Sequence, residues 1–352
     1  MPPQKNEKNE DARVREINID ALVHATKLSV GKHENLEHYL KRLTHLTLNG
    51  DAKRVIRKIQ NLQHCPGLKV LYLYDNEIDA MENLDVAPQL THLHLQNNRI
   101  GRMEGVEALE KLEKLYLEGN CIARLEGLQN CFYIQELHLS NQSVPPSMPF
   151  SFDLQTMQAL SRSLRILNLS SCHVTSTTAL AMLRNLEQLD LSKNAISELE
   201  DVFQLLSSLS SLTELDLRMN PVTNIPKYRE KAITFSSSRL ALLDKKDIDA
   251  NQRRMMQSHL AHKYRKRQES DNPEKASSNS AGGATLSETR RTLKHGSTVH
   301  QLRSMQITAT GMKKNPKLQC EKDGLGVDGA ACSSAAMSTA LVRSSSNNNK
   351  HH

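Results

Sequence analysis

From Leu43 onward, leucines recur at fixed offsets with polar residues between them. The stretch KLEKLYLEGN at Lys111–Asn120 has two near-copies upstream, QLTHLHLQNN at Gln89–Asn98 and GLKVLYLYDN at Gly67–Asn76, each 22 residues from the next. The template LxxLxLxxN begins eight times, at Leu43, Leu68, Leu90, Leu112, Ile134, Leu164, Leu186 and Leu212. Leucines at its fourth and sixth positions alternate with polar residues, which predicts a short strand with one buried face. Apolar residues then follow at a wider step, as in Ile78, Met81 and Leu84 or Ile100, Met103 and Val106. That spacing predicts a short 3₁₀ or helical return leg. One unit cannot bury its own leucines, so the units must stack.

Units of this length and template are leucine-rich repeats. The expected fold is an α/β repeat solenoid, a right-handed horseshoe superhelix. It has a parallel sheet on its concave side, short helical or 3₁₀ segments on its convex side, and helical caps. The template asparagine recurs at Asn76, Asn98, Asn120, Asn194 and Asn220, with Asp51, Gln142 and Cys172 in its place elsewhere. A buried carboxamide can donate and accept where the chain leaves the sheet, which makes this a scaffold position. The fifth unit is 30 residues long and contains SVPPSMPFSFDL, which predicts a protruding loop with Phe150 and Phe152 exposed or available for docking.

Outside the repeats, residues 14–42 read as a helical N-terminal cap, with helices beginning near Asp20 and Glu34. The repeats occupy 43–219. Residues 220–268 read as a C-terminal cap followed by a basic amphipathic helix. Residues 1–13 and the Ser-, Asn- and Gly-rich stretch 269–352 read as disordered.

If positions 4 and 6 face the core, positions 3, 5 and 7 face outward from the sheet, and these residues differ from unit to unit. Position 5 reads Thr47, Tyr72, His94, Tyr116, His138, Asn168, Asp190 and Asp216. Tyr74, Glu118 and His92 fall on the same face at positions 7 and 3. Large rings with polar tips make efficient interface anchors. The first patch expected to bind a protein partner is therefore Tyr72, Tyr74, His92, His94, Tyr116, Glu118 and His138. A second, acidic patch follows at Glu187, Asp190, Glu214 and Asp216. Such a surface, aromatic at one end and acidic at the other, would orient a partner that carries a basic region.

Charge sharpens this division. Residues 251–352 hold 17 Lys or Arg against 7 Asp or Glu, whereas residues 1–250 hold 29 against 32. A weakly acidic body argues against nucleic acid as the ligand of the repeats. No apolar run is long enough to span a bilayer and the chain begins on the polar MPPQKNEKNE, so neither a membrane nor secretion is expected. Six scattered cysteines without metal spacing suggest free thiols in a reducing compartment.

Metal and catalytic readings fare poorly. His92 and His94 share a strand face, but His138 stands two repeats, about 10 Å, from His94, so no metal site is expected. No Ser-His-Asp elbow, glycine-rich phosphate loop or convergent carboxylate pair occurs. Neither an enzyme nor a cofactor is expected.

The 22-residue unit with a return leg such as NCIARLEGLQN resembles the SDS22-like class of leucine-rich repeats. The blocks VLYLYDNEI, LTHLHLQNN, KLEKLYLEGN, FDLQTMQALSRSL and NPV…KYREKAI…LLDKKDI are similar to regulatory subunits of protein phosphatase 1 within that class. The resemblance spans roughly residues 35–260 and leaves out the basic tail. It implies a non-enzymatic modulator that binds the phosphatase catalytic subunit through the concave face. The location it implies is the cytoplasm, on centrosomal or flagellar structures of the cytoskeleton. The alternative is a centrosomal or axonemal scaffold whose basic tail contacts tubulin or centrosomal proteins. KAITF at Lys231–Phe235 matches the short basic-x-Val/Ile-x-Phe motif through which such regulators dock. Its position within the cap favours a core role for Ile233 and Phe235 instead.

Overall fold

The computed structural model describes residues 14–26, 35–51 and 54–271. The expected disorder of residues 1–13, and of the tail from residue 272 on, lies outside the described residues. Within them the eight templates each form one three-residue strand: β1 (His45–Thr47), β2 (Val70–Tyr72), β3 (His92–His94), β4 (Lys114–Tyr116), β6 (Glu136–His138), β8 (Ile166–Asn168), β9 (Gln188–Asp190) and β10 (Glu214–Asp216). All eight pair in parallel and in register, so His45, Val70, His92, Lys114, Glu136, Ile166, Gln188 and Glu214 stand in one row. The neighbouring leucines stand in the next row and point the other way. Leu71, Leu73, Leu93, Leu95, Leu115 and Leu117 are fully buried, each burial contributing roughly 1.5–3 kcal/mol.

The template asparagines close the stack. Asn120 is fully buried; its Nδ2 donates to the carbonyls of Leu117 and, in the preceding unit, Leu95, both at 2.9 Å, and its Oδ1 accepts from Ile100 N at 3.0 Å. Asn98 repeats this pattern on Leu95, Leu73 and Ile78. Gln142, one methylene longer, makes the same bonds to Leu139, Leu117 and Ile122. One carboxamide thus satisfies backbone groups of two units that have no ladder partner.

The return legs depart in part from expectation. Helical segments occur in the first unit (a 3₁₀ turn, Leu62–His64) and in the later ones: α3 (Leu154–Leu160), a 3₁₀ turn at Thr178–Met182, and α4 (Leu199–Ser208). The three units beginning at Leu68, Leu90 and Leu112 instead return through bends and turns without a helical segment, with Ile78, Met81, Ile100, Met103 and Ile122 still buried. Backbone crowding is one reason. A Cβ on Gly105 or Gly127, both at positive φ, would sit 1.6 Å from Met81 O or Met103 O. Asn61 and Asn83 hold the left-handed conformation at the same 22-residue interval, and Asn83 Nδ2 donates to Ile59 O at 2.7 Å. This second periodic position escaped the sequence reading because two residue types fill it.

In the return leg of the fourth unit β5 (Arg124–Leu125) pairs with β7 (Ser151–Phe152) of the fifth, which ties the long loop back to the preceding leg. Phe150 is buried and Phe152 packs partly buried against the core, so these rings are not the exposed aromatics expected; they contact each other edge to face at 5.4 Å. Of the described cysteines, Cys65, Cys131 and Cys172 are buried thiols, while Cys121 is exposed.

At the N-terminal end α1 (Ile19–Ala25) and α2 (Leu36–Arg42) are capped by Asn18 and Asn35, and place Leu22 and Leu40 on the core. At the other end the parallel ladder runs one strand further, to β11 (Leu242–Leu243), and closes with antiparallel β12 (Lys246–Asp247). The helix α5 (Tyr228–Phe235) contains KAITF. Ile233 and Phe235 are buried there, with Phe235 4.5 Å from the Phe203 ring. The first turns of the basic helix α6 (Ala250–Asp271) do not divide into the apolar and basic faces expected: Arg253 is buried, with its guanidinium on Ser237 O and Leu240 O, while Met255 is exposed.

Candidate protein-interaction face

Because the strands are in register, the position-5 side chains of β2, β3, β4 and β6 line up across the sheet. Tyr72 stacks on His94 at 4.5 Å, His94 on Tyr116 at 4.3 Å and Tyr116 on His138 at 4.9 Å, with planes within 28° of parallel. Strand spacing near 4.8 Å falls within the centroid separation of offset-stacked rings and so permits this geometry. Tyr74 meets Tyr72 edge-on at 6.4 Å. Four rings that share faces with one another present their edges and polar tips outward.

Those tips are organised by their neighbours. Tyr116 Oη donates to Glu136 Oε2 at 3.1 Å, and Lys114 Nζ meets Glu136 Oε1 at 2.7 Å. Gln96 Nε2 stands 3.3 Å from His94 Nδ1, and Thr91 Oγ1 2.8 Å from His92 Nδ1. Burial, with His92 and His138 nearby, lowers the His94 imidazole to about 4. Burial likewise lowers His92 and His138. The Tyr116 phenol is pushed up to about 12 by burial and by its bond to Glu136. Burial raises the Glu118 carboxyl, and its Oε2 has no hydrogen-bond partner among the described residues. Burial also pushes Glu136 upward, but the hydrogen bonds from Lys114 and Tyr116 outweigh it, and the net direction is down. Glu118 Oε1 and His138 Nδ1 are 3.8 Å apart. That is too far for a hydrogen bond, and burial favours the neutral form of both groups, so we do not count this as an ion pair.

All seven residues of the first patch therefore lie together on β2–β6 and the residues just after these strands. The acidic patch is different. Asp216 is buried at 3% exposure, and Arg218 clasps it through Nε (3.0 and 3.1 Å) and Nη2 (2.8 Å). Asp216 is thus not the open carboxylate expected; Arg218, two residues past the end of β10, lies beside it and the pair neutralise each other. Glu187 lies at position 2, beside the face, and pairs with Arg165 at 3.0 Å. Asp190 keeps one bond, from Ser192 N at 2.9 Å, and Glu214 is half-buried. Beside them is a shallow depression of about 170 Å³, lined among others by His138, Asn168, Gln188, Asp190, Glu214 and Lys245.

The sequence reading passed over Lys114 and Glu136 as site residues. Their signal was present: both occupy position 3 on adjacent strands, where opposite charges meet across a ladder. Among the described residues no three His, Cys, Asp or Glu side chains converge as metal ligands, and no helix is long and apolar enough to cross a membrane.

Residues 88–130 and 162–204 match the family described as Leucine Rich repeats (2 copies). Among solved structures the chain is similar to an internalin (inlF) from Listeria monocytogenes at 23% identity and a TM-score of 0.50, the match covering 66% of this chain and 63% of that one. An internalin C2 from the same organism matches at 22% identity and 0.49, covering 63% of this chain and 91% of that one. A Drosophila melanogaster SNF/U2A' complex matches at 24% and 0.30, covering 47% and 78%. The chain thus spans less than two thirds of the length of the first of these relatives, and at such identities the likeness concerns the fold alone. The chain carries leucine-rich repeats stacked in the solenoid fold of that family.

Proposed function

We propose that the sheet face of the repeats holds a protein partner, and that this partner is the catalytic subunit of protein phosphatase 1, which the chain binds as a non-enzymatic regulatory subunit. The observation that carries the first half is the stack of Tyr72, His94, Tyr116 and His138. Rings fixed against one another lose little rotamer freedom on binding, so more of their contact energy is realised. The phosphatase rests on the resemblance of the non-leucine residues to its regulatory subunits, and the setting that goes with it is cytoplasmic, at centrosome or flagellar base.

Calorimetric titration of the purified phosphatase catalytic subunit into the full chain tests the reading. Saturable binding supports it. No binding at tens of micromolar, with tubulin captured instead, would replace it with the cytoskeletal scaffold.

A further inference from the structure

A second surface lies off the sheet face, along the edge where the strands begin. The residue just before each template occupies one row there: Tyr133, Ser163, Asn185, Ser211 and Arg239 stand before β6, β8, β9, β10 and β11. The row is large at both ends and small in the middle, and a trough of about 390 Å³ results. Its remaining walls include Arg162 and Arg165, so three arginines face one carboxylate, Glu187, which Arg165 already holds at 3.0 Å. Arg239 is exposed and has no partner among the described residues. Arg162 lies over the Phe132 ring at 5.4 Å, which orients its guanidinium while leaving its donors free. Phe132 and Tyr133 are 42% and 63% exposed, large for rings that contribute nothing to the core. The Ser163 hydroxyl is shielded from solvent and has no hydrogen-bond partner among the described residues.

We infer that this trough is a second docking site, distinct from the ring stack, and that its occupant is an extended, glutamate-rich segment of a partner protein. Charge complementarity selects the occupant. Unpaired guanidiniums match carboxylates bidentately, while the chain's own tail, with 17 basic against 7 acidic residues from 251 on, is of the wrong sign to fill it. Length fits as well: four strand steps separate Tyr133 from Arg239, roughly 19 Å, which about six extended residues span. Tyr133 supplies an apolar stop at one end, and the Ser163 hydroxyl a buried donor in the floor.

The test uses the full chain and a fluorescein-labelled octaglutamate peptide, read by anisotropy at low and physiological salt. The trough predicts that Arg162→Ala with Arg239→Ala weakens binding about tenfold or more, and that Tyr133→Ala weakens it several-fold. Tyr72→Ala should leave it unchanged. Equal affinity of wild type and the arginine double variant would assign the peptide to the basic tail and overturn the inference, as would no binding at low salt. Thermal melting of the double variant within a few degrees of wild type separates lost contact from lost fold, since both arginines are exposed.

Discussion

Two halves of one sheet face use the same position for opposite ends. In β2, β3, β4 and β6, position 5 is a ring, and each ring rests on the ring of the next strand in the sheet. In β8 to β10, position 5 is Asn168, Asp190 or Asp216, and each folds back to accept the backbone N–H two residues on, at 2.9–3.0 Å: Ser170, Ser192 and Arg218. Short Asx side chains favour such local bonds; rings cannot make them and must project. One half therefore presents its side chains outward, while the other partly spends them on its own backbone. The gradient from aromatic to acidic is shallower in the folded chain than in the row of residue types. Beneath both halves the leucine and asparagine positions are nearly the same, which locates the difference in the outward residues alone.

The largest effect that could break this comparison is on affinity. Tyr72→Ala with Tyr116→Ala removes two of the four stacked rings and both faces that hold His94. Central anchors cost about 2 kcal/mol or more each, and such costs are not fully additive, so affinity for the phosphatase catalytic subunit should fall on the order of 100-fold or beyond. The leucines beneath are untouched, and the stability cost should be that of lost stacking, about 0.5–1.5 kcal/mol per ring pair, and of the Tyr116–Glu136 hydrogen bond. Unchanged affinity by titration would remove the ring half from the interface.

Asn120→Ala strikes the scaffold common to both halves. It leaves Ile100 N, Leu95 O and Leu117 O without their side-chain partner, which should lower unfolding free energy by about 1–3 kcal/mol. Asn120→Gln should recover part of the loss, because Gln142 fills the equivalent place. Equilibrium denaturation decides; weakened binding at unchanged stability would contradict the scaffold role.

Acid should affect the ring half first. His94, lowered to about 4 in the folded chain, takes up a proton in the unfolded chain near its ordinary 6.5. Between those values the unfolded state binds more protons, so stability is fully present above 6.5 and falls as pH drops toward 4. His92, His138 and Glu136 are lowered and act in the same sense, whereas Glu118 is raised and opposes them. Melting temperature followed from pH 7 to 4.5 should therefore decline, and His94→Gln should flatten the decline. A parallel decline in the variant would mean that His94 is not its source.

Much of this was legible in the residues. Strict spacing fixed which residues share a row, because strands in register add neither insertion nor slip, and every position-3, -5 and -7 assignment follows from that. Side-chain conformations carry no such period. Stacking of the rings and the back-bonding of Asp190 and Asp216 depend on rotamers, and so the acidic face was overread. The strand β11 escaped because its unit keeps Leu240 and Leu243 but has Lys245 where the next leucine belongs. Phe150 was misjudged because the prolines before it signal a loop, while its register beside β5 is set by pairing distant in sequence.

The smallest effect tests the other half. Asp190→Asn with Glu214→Gln keeps shape and, at position 190, the Oδ1 that accepts from Ser192 N, while removing both charges not already held by an arginine. Rim charges act chiefly through long-range attraction, so the association rate should slow by roughly threefold or less at low salt, and the difference should shrink at physiological ionic strength as screening sets in. The dissociation rate should hardly move. Asp216→Asn is the control from inside the same patch: its carboxylate is already clasped by Arg218, so its loss should lower stability without altering association. Stopped-flow measurements at two salt concentrations separate these outcomes. A tenfold faster dissociation on losing Asp190 and Glu214 would mean that these carboxylates are buried against the partner, and would restore the acidic half as an anchor equal to the rings.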